Sequence, residues 1–276
     1  MNALEIHGLT KRRGGFALQG LELTLPAGCI MGLIGENGAG KSTTIRLILD
    51  SLQRDGGTVA VYGKDNRVLT ALEREDIGVV LDEVGLPEYL NAAQIGRMMA
   101  GIFTRWQPAV YAEYLRRFGL PADKPFRDYS RGMKMKQGLA AALSHQPKLL
   151  LLDEATSGLD PVVRDEILTI FEDFTRDESH AVLLSSHIVS DLEKICDYIA
   201  FLHRGRLLLC EEKDRLAEEY GILRGGADGL DPAAVCGKRA TPYGTEYLVR
   251  RGAVPAGTTL GQVGIEELFV FMAKEA

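Results

Sequence analysis

The sequence predicts an α/β protein built on a parallel sheet, with an antiparallel β portion at the N-terminus, a helical insert and a small C-terminal extension. Three observations predict it. Residues 29–52 read as a short apolar run, CIMGLI, then a glycine-rich loop, then STTIRLILDSL, whose Ile45, Ile48, Leu49 and Leu52 follow helical spacing. Strand, glycine loop, helix is the start of a βαβ unit. After Pro147 the run KLLLLDE puts four leucines in succession, which suits a strand covered on both faces of a parallel sheet. Helix and strand patterns then alternate: a helix from Pro161 to about Phe174, the strand AVLLSS, the helix SDLEKICDY, and the strands YIAFLH and RLLLC.

The remaining elements follow in order. Leu21, Leu23 and Leu25 alternate with polar residues up to the Pro-Gly-containing turn of LQGLELTLPAG, the pattern of a half-buried strand in an edge hairpin. Between about 85 and 145 the pattern turns helical: Leu90, Ile95, Met98, Met99, Ile102 and Phe103 make one apolar stripe, and Tyr111, Tyr114, Leu115 and Phe118 make another before Gly119 and Pro121. The Met pair and Trp106 read as core. The last residues are rich in Gly and Ala and predict a β-rich appendage, closed by a helix with Ile265, Leu268, Phe269 and Met272 on one face. The expected division is residues 1–215 as one large domain and 216–276 as the extension.

Composition narrows the function classes. With 276 residues, 46% hydrophobic and 25% charged, the chain buries a sizeable core and is neither disordered nor fibrous. Its 32 basic against 38 acidic residues give a net charge of −6. No broad positive field follows, so no nucleic-acid partner is expected. Cys29, Cys196, Cys210 and Cys236 are scattered singly, without zinc spacing or a disulfide framework, and a reduced compartment is the simplest reading. No signal peptide is evident, and no window approaches the roughly 18 apolar residues of a membrane span. Any membrane role is expected to come through a partner.

Gly35-Glu36-Asn37-Gly38-Ala39-Gly40-Lys41-Ser42 matches G-x-x-x-x-G-K-[ST], after an apolar run and before a helix opening Ser42-Thr43. Glycines let successive N–H groups converge on a phosphate, and the helix N-terminus adds a favourable dipole. Lys41 then reaches the β- and γ-phosphates and the Ser42 hydroxyl ligates magnesium, which names a nucleoside triphosphate. Asp153, at the C-terminal end of the four-leucine strand, is placed to hold a magnesium-bound water. Glu154 points to the other side of the strand, where a carboxylate takes a proton from an attacking water.

With Ala155-Thr156-Ser157-Gly158-Leu159-Asp160 added, LLLLDEATSGLDP resembles the Walker B and D-loop of ABC-type ATPases. Tyr129-Ser130-Arg131-Gly132-Met133 occupies the place of that family's LSGGQ signature, and His187 ends AVLLSS as its switch histidine does. The resemblance covers about the first 215 residues. It implies a P-loop NTPase fold with a RecA-like parallel core, an N-terminal antiparallel β subdomain and an inserted helical subdomain at about 85–145. It implies ATP and Mg²⁺ as ligands, with Asn37, Gly38, Ala39, Gly40, Lys41, Ser42 and Thr43 around the phosphates. Ser130 and Gly132 would bind the γ-phosphate held by a second ATPase chain, a homodimer partner or a paralogue, so that two chains sandwich two nucleotides. Ser130 is also a good N-cap, and both roles hold together. His187 would contact the γ-phosphate beside Glu154, with catalysis resting on positioning and charge stabilisation.

Four positions depart from the family pattern. Asp82 stands where a glutamine normally approaches the metal; a carboxylate also serves magnesium but is shorter and adds negative charge. Arg131 replaces the signature's first glycine, either turned away from the nucleotide or supplying it an extra cation, and Met133 replaces glutamine. The adenine-stacking aromatic aligns with Arg13, whose guanidinium can stack on a base, while Phe16 lies close by.

YSRGMKMKQGLAAALSHQPKLLLLDEATSGLDPVVRDE is similar to the bacterial exporter branch in which the ATPase chain is separate from the membrane permease. The implied protein is the ATP-hydrolysing motor of a transporter, cytoplasmic and held on the inner face of the membrane through that permease. The loop Glu83 to Tyr89 and the helix after it would form the permease groove, with Leu86, Tyr89 and Met98 as candidates. Two alternatives are a non-transport ABC ATPase, which usually carries a coiled coil or two ATPase domains, and a low-turnover ATP switch.

Overall fold

The computed structural model describes residues 1–225, 230–242, 244–255 and 257–275; residues 226–229, 243, 256 and 276 of the Gly/Ala-rich stretch and its end lie outside the described residues. The chain opens with the hairpin β1 (Asn2–Arg13) and β2 (Phe16–Pro26), then β3 (Ile30–Ile34), the glycine loop and α1 (Lys41–Ile48). There follow β4 (Gly56–Val61), β5 (Lys64–Asp65), the one-turn α2 (Ala71–Arg74) and β6 (Ile77–Val80). The helical insert holds α3 (Ala92–Ala100), α4 (Pro108–Arg117) and α5 (Arg131–Leu143). Next come β7 (Leu149–Asp153), α6 (Pro161–Phe174), β8 (Ala181–Ser186), α7 (Val189–Ile195), β9 (Tyr198–His203) and β10 (Arg206–Glu212). The chain ends in α8 (Lys213–Glu219), β11 (Tyr220–Arg224), β12 (Val235–Thr241), β13 (Gly244–Arg250) and α9 (Ile265–Glu275).

The central six-stranded sheet runs β10-β9-β3-β8-β7-β6, parallel throughout except for antiparallel β10 at one edge. Period-two alternation splits each central strand between two cores. Leu150 and Leu152 of β7, with Val182 and Leu184 of β8, face the layer of α5, α6 and α7. Leu149, Leu151, Ala181 and Leu183 face α1 and the N-terminal sheet β2-β1-β4-β5. Both faces are covered, which is why the four-leucine run shows no polar alternation. Each fully buried leucine contributes about 1.5–3 kcal/mol.

The helical insert departs in part from the expected stripe. Ile95 is fully buried, but Ile102 is 61% exposed, because α3 ends at Ala100 and Ile102 falls in the turn beyond it. Trp106 is buried against Tyr111, and Phe103 stacks on His145 at 4.1 Å. The C-terminal part forms a three-stranded antiparallel sheet, β11-β13-β12, and α8 runs across residue 215 into it. In α9 Ile265 and Leu268 are buried and Phe269 and Met272 half-buried, while Phe271, outside the expected face, is fully buried. The helix lies between two surfaces: Phe269 meets Phe201 edge-on at 5.4 Å, and Phe271 carries the Arg239 guanidinium over its ring at 4.8 Å. All four cysteines are free. Burial pushes the Cys210 thiol up to about 11 and Cys196 higher still, so neither is a nucleophile near neutral pH.

Candidate active site

The parallel strands bring their C-terminal ends together, and the polar residues that follow the apolar runs gather at that edge. β3 ends in the glycine loop, β7 in Asp153, and β8 in Ser185 and Ser186, with Asp153 paired to Ser185 and Ile34 to Ser186. Two residues past β6 stands Asp82, and one past β8 stands His187.

Gly40 has φ 117°, a left-handed backbone that side-chain-bearing residues rarely adopt, and α1 begins directly after it. No side chain caps α1, so its first N–H groups and its dipole are left to the loop, the arrangement that receives an anion. Lys41 is 6% exposed; its ammonium donates to the Gly35 carbonyl at 2.6 Å and lies 3.2 Å from Glu154 Oε1.

The Ser185 hydroxyl donates to Asp153 Oδ1 at 2.6 Å, and the Glu154 N–H is shared between the Ser185 carbonyl at 3.0 Å and its hydroxyl oxygen at 3.2 Å. Glu154 takes φ 53°, a sparsely populated conformation that persists where surroundings over-determine it. Its Oε2 accepts from His187 Nδ1 at 2.6 Å, which puts the imidazole proton on Nδ1. Its Oε1 is buried without a hydrogen-bond partner, the Lys41 approach being an ion contact off hydrogen-bond geometry.

A cavity of about 380 Å³ lies against this cluster. It is lined by the phosphate-loop residues Asn37, Gly38, Gly40, Lys41, Ser42 and Thr43, by Asp82 and Glu154, and by Arg13 and Phe16 of the hairpin. Arg13 and Phe16 are cross-strand partners, and a Cβ built on Gly40 would stand 2.8 Å from Phe16 Cζ, so the aromatic ring touches the loop. Of the other expected residues, Ala39 is buried at 1% exposure, Asp153 is buried and accepts from Ser185, and His187 donates to Glu154; none of the three lines the cavity. Ser130 and Gly132 do not line this cavity. Glu36 lines it without having been expected, and Ser185 was overlooked although two serines ending an apolar strand were its signal.

Among the described residues no group of three or more His, Cys, Asp or Glu side chains could hold a metal alone. The donor set of the Ser42 hydroxyl, the Asp82 carboxylate and Asp153 is sparse and all hard oxygen. It fits magnesium, which keeps waters and binds together with phosphates.

Ser130 caps α5, its hydroxyl accepting from the Met133 N–H at 3.3 Å, and a Cβ on Gly132 would meet Leu159 Cδ2 at 3.3 Å. Arg131 is held at the edge of the first cavity: its Nη2 donates to Asp82 Oδ1 at 2.5 Å, and Asp82 lines that cavity. A second cavity, of about 680 Å³, opens between residues 82–88 and the start of α5. Leu86 lines it, as do Phe126 and Tyr129; Met98 does not, and Tyr89 is 76% exposed with the Arg127 guanidinium over its ring.

A family model described as ABC transporter matches residues 18–157, from β2 through the glycine loop to just past Glu154. The chain belongs to the ABC transporter family. It is similar to the uncharacterized ABC transporter ATP-binding protein YhcH of Bacillus subtilis, 36% identical over 210 residues that cover 74% of this chain and 68% of that protein. It is also similar to the bacitracin transport ATP-binding protein BcrA of Enterococcus faecalis, 32% identical over 212 residues (74% and 68%). The lantibiotic transport ATP-binding protein SrtF of Streptococcus pyogenes is 33% identical over 217 residues (76% and 91%). The solved structure of an ATP-binding subunit of an ABC transporter superimposes with a TM-score of 0.71 at 26% identity, covering 78% of this chain and 92% of that one. This ABC family member is an ATP-binding subunit that hydrolyses ATP, and its P-loop NTPase fold is the one its glycine loop and parallel strands build. No helix among its described residues is long and apolar enough to cross a membrane.

Proposed function

We propose that this ABC subunit is the motor of a bacterial exporter whose permease is a separate chain, and that two ATPase chains close around ATP to drive it. The observation that carries this reading is a division of parts: Lys41 and Glu154, with His187 behind, surround one cavity, while Ser130 and Gly132 lie outside it. A chain with that division completes its site only with a second copy or a paralogue. The transport functions in the names of BcrA and SrtF favour export.

In the chemistry we infer, the loop N–H groups and Lys41 hold the β- and γ-phosphates while Arg13 and Phe16 contact the base. Glu154 accepts the proton of the attacking water, and His187 orients both that carboxylate and the γ-phosphate. Ser42, Asp82 and Asp153 would hold magnesium, which supplies charge neutralisation of the phosphates when bound. Positioning and electrostatics carry most of the rate, as in phosphoryl transfer generally. The assembled Glu154–His187 pair favours turnover over a low-turnover switch.

Residues 1–215 would act as the ATPase domain and 216–276 as an extension. The 680 Å³ cavity is where a cytoplasmic segment of the permease would seat, holding the chain on the inner face of the membrane. The test is Glu154→Gln. Its steady-state hydrolysis with the co-purified permease should fall by about 10²–10⁴-fold, the usual worth of a general base. With ATP, light scattering should report a dimer; a species that stays monomeric with both ATP and permease overturns the reading.

A further inference from the structure

Asp82 and Arg131 are two of the positions at which this chain departs from its family pattern, and they hold each other. Arg131 Nη2 donates to Asp82 Oδ1 at 2.5 Å, with the two side chains 53% and 50% exposed. The pair spans two working parts. Asp82 lines the cavity of Lys41, Ser42 and Glu154, while Arg131 is the first residue of α5, directly after Ser130 and before Gly132. Arg131 also reaches the loop beyond Glu154: a Cβ built on Gly158 would stand 3.4 Å from its Cδ and Nη1.

A carboxylate at position 82 brings a negative charge toward the triphosphate, and the guanidinium balances it for as long as the pair stands. The carboxylate is short and cannot serve Arg131 and a metal at the phosphates equally well, because two cations crowded on one carboxylate repel each other. An exposed ion pair is weak, shifting an equilibrium by only about 1.4- to 5-fold, whereas magnesium prefers hard oxygen ligands of this kind.

We propose that Arg131 is a positioning residue whose guanidinium competes with the nucleotide-bound metal for Asp82, so that loading the site releases Arg131 and frees the turn of α5 that carries Ser130 and Gly132. The state of one chain's own cavity is thereby passed to the segment that completes the other cavity. The inference rests on the dimerising function proposed above.

The test uses the full chain with Glu154→Gln, saturating ATP and a magnesium titration, reading dimer mass by light scattering. Manganese binding by electron paramagnetic resonance gives a second, assembly-independent readout. Arg131→Gln should lower the metal concentration at half-maximal dimer by about 1.4- to 5-fold, the range of an exposed ion pair, while Arg131→Lys stays near the parent. Asp82→Asn should raise that concentration and abolish the effect of Arg131→Gln in the double variant. An unchanged or higher midpoint for Arg131→Gln, or a shift that survives in the Asp82→Asn background, overturns the competition while leaving the proposed function standing. A parent that never dimerises overturns both.

Discussion

Replacing Ser185 with alanine isolates one hydrogen bond beneath the Asp153 and Glu154 carboxylates. Ser185 is fully buried at the end of β8, and its hydroxyl donates to Asp153, itself 4% exposed. Bulk water therefore does not restore the lost donor. A hydrogen bond to a charged group contributes about 1.5–3 kcal/mol, and its buried acceptor would be left with one partner fewer. The second contact of the hydroxyl, with the Glu154 N–H, adds little, because that N–H keeps the Ser185 carbonyl at 3.0 Å. For a chain of this size each kcal/mol moves Tm by about 2–4 °C, so a loss near 2 kcal/mol lowers it by about 4–8 °C. Glu154 retains its backbone anchor and His187, so kcat should drop by roughly tenfold, with a smaller change in KM, as part of that energy is lost from the ordering of Asp153. Calorimetry of the nucleotide-free protein and a coupled ATPase assay measure the two effects. A Ser185→Ala protein that unfolds within 1 °C of the parent with the parent's kcat refutes the claim that Asp153 depends on this hydroxyl.

Two further outcomes follow from other residues. Phe16→Ala should weaken ATP by roughly 5- to 150-fold in a titration with a non-hydrolysable analogue, the worth of one base stacked on an aromatic ring, and should weaken GTP alike because every base has a π-face. An unchanged Kd would reduce Phe16 to packing against Gly40. His145 is buried against Phe103, and burial holds its pKa below the ordinary value near 6.5. The unfolded chain thus binds this proton more readily than the folded one. The corresponding stability is present above about pH 6.5 and is lost as pH falls from there toward the folded pKa. Urea midpoints between pH 7.5 and 5.5 should therefore slope less steeply for His145→Asn than for the parent.

The legible parts of this molecule are those where burial on both sides forces an uninterrupted apolar run, or burial on one side a helical repeat of apolar positions. The strands at 181–186 and 198–203 and the helix at 161–174 lie where the pattern put them. The strand β4 was not legible: it opens on two glycines and is held by pairing to β1, a partner about fifty residues away. Phe271 escaped notice because a helix pressed between two surfaces buries more than one face. In the site, single-residue chemistry was readable wherever a spacing constrains it, as in the glycine loop and Asp153-Glu154. Contacts between distant segments were not, and Asp82–Arg131 and Ser185–Asp153 are of that kind.

The same distinction bears on how the site avoids repelling its own substrate. Glu154 would stand as an uncompensated anion beside a triphosphate, yet Lys41 lies 3.2 Å from one of its oxygens and His187 donates to the other at 2.6 Å. Lys41 also holds the Gly35 carbonyl, so its ammonium is shared between the loop and the Glu154 carboxylate. A γ-phosphate draws that ammonium more strongly than a single carboxylate does, since it offers more negative charge at the same reach. With Lys41 drawn to the phosphate, Glu154 Oε1, the buried oxygen with no hydrogen-bond partner, would be the acceptor left for a water in the proposed chemistry. In the proposed chemistry the His187 contact would keep the carboxylate in place meanwhile, so that arrival of the triphosphate would itself free the oxygen that takes the proton.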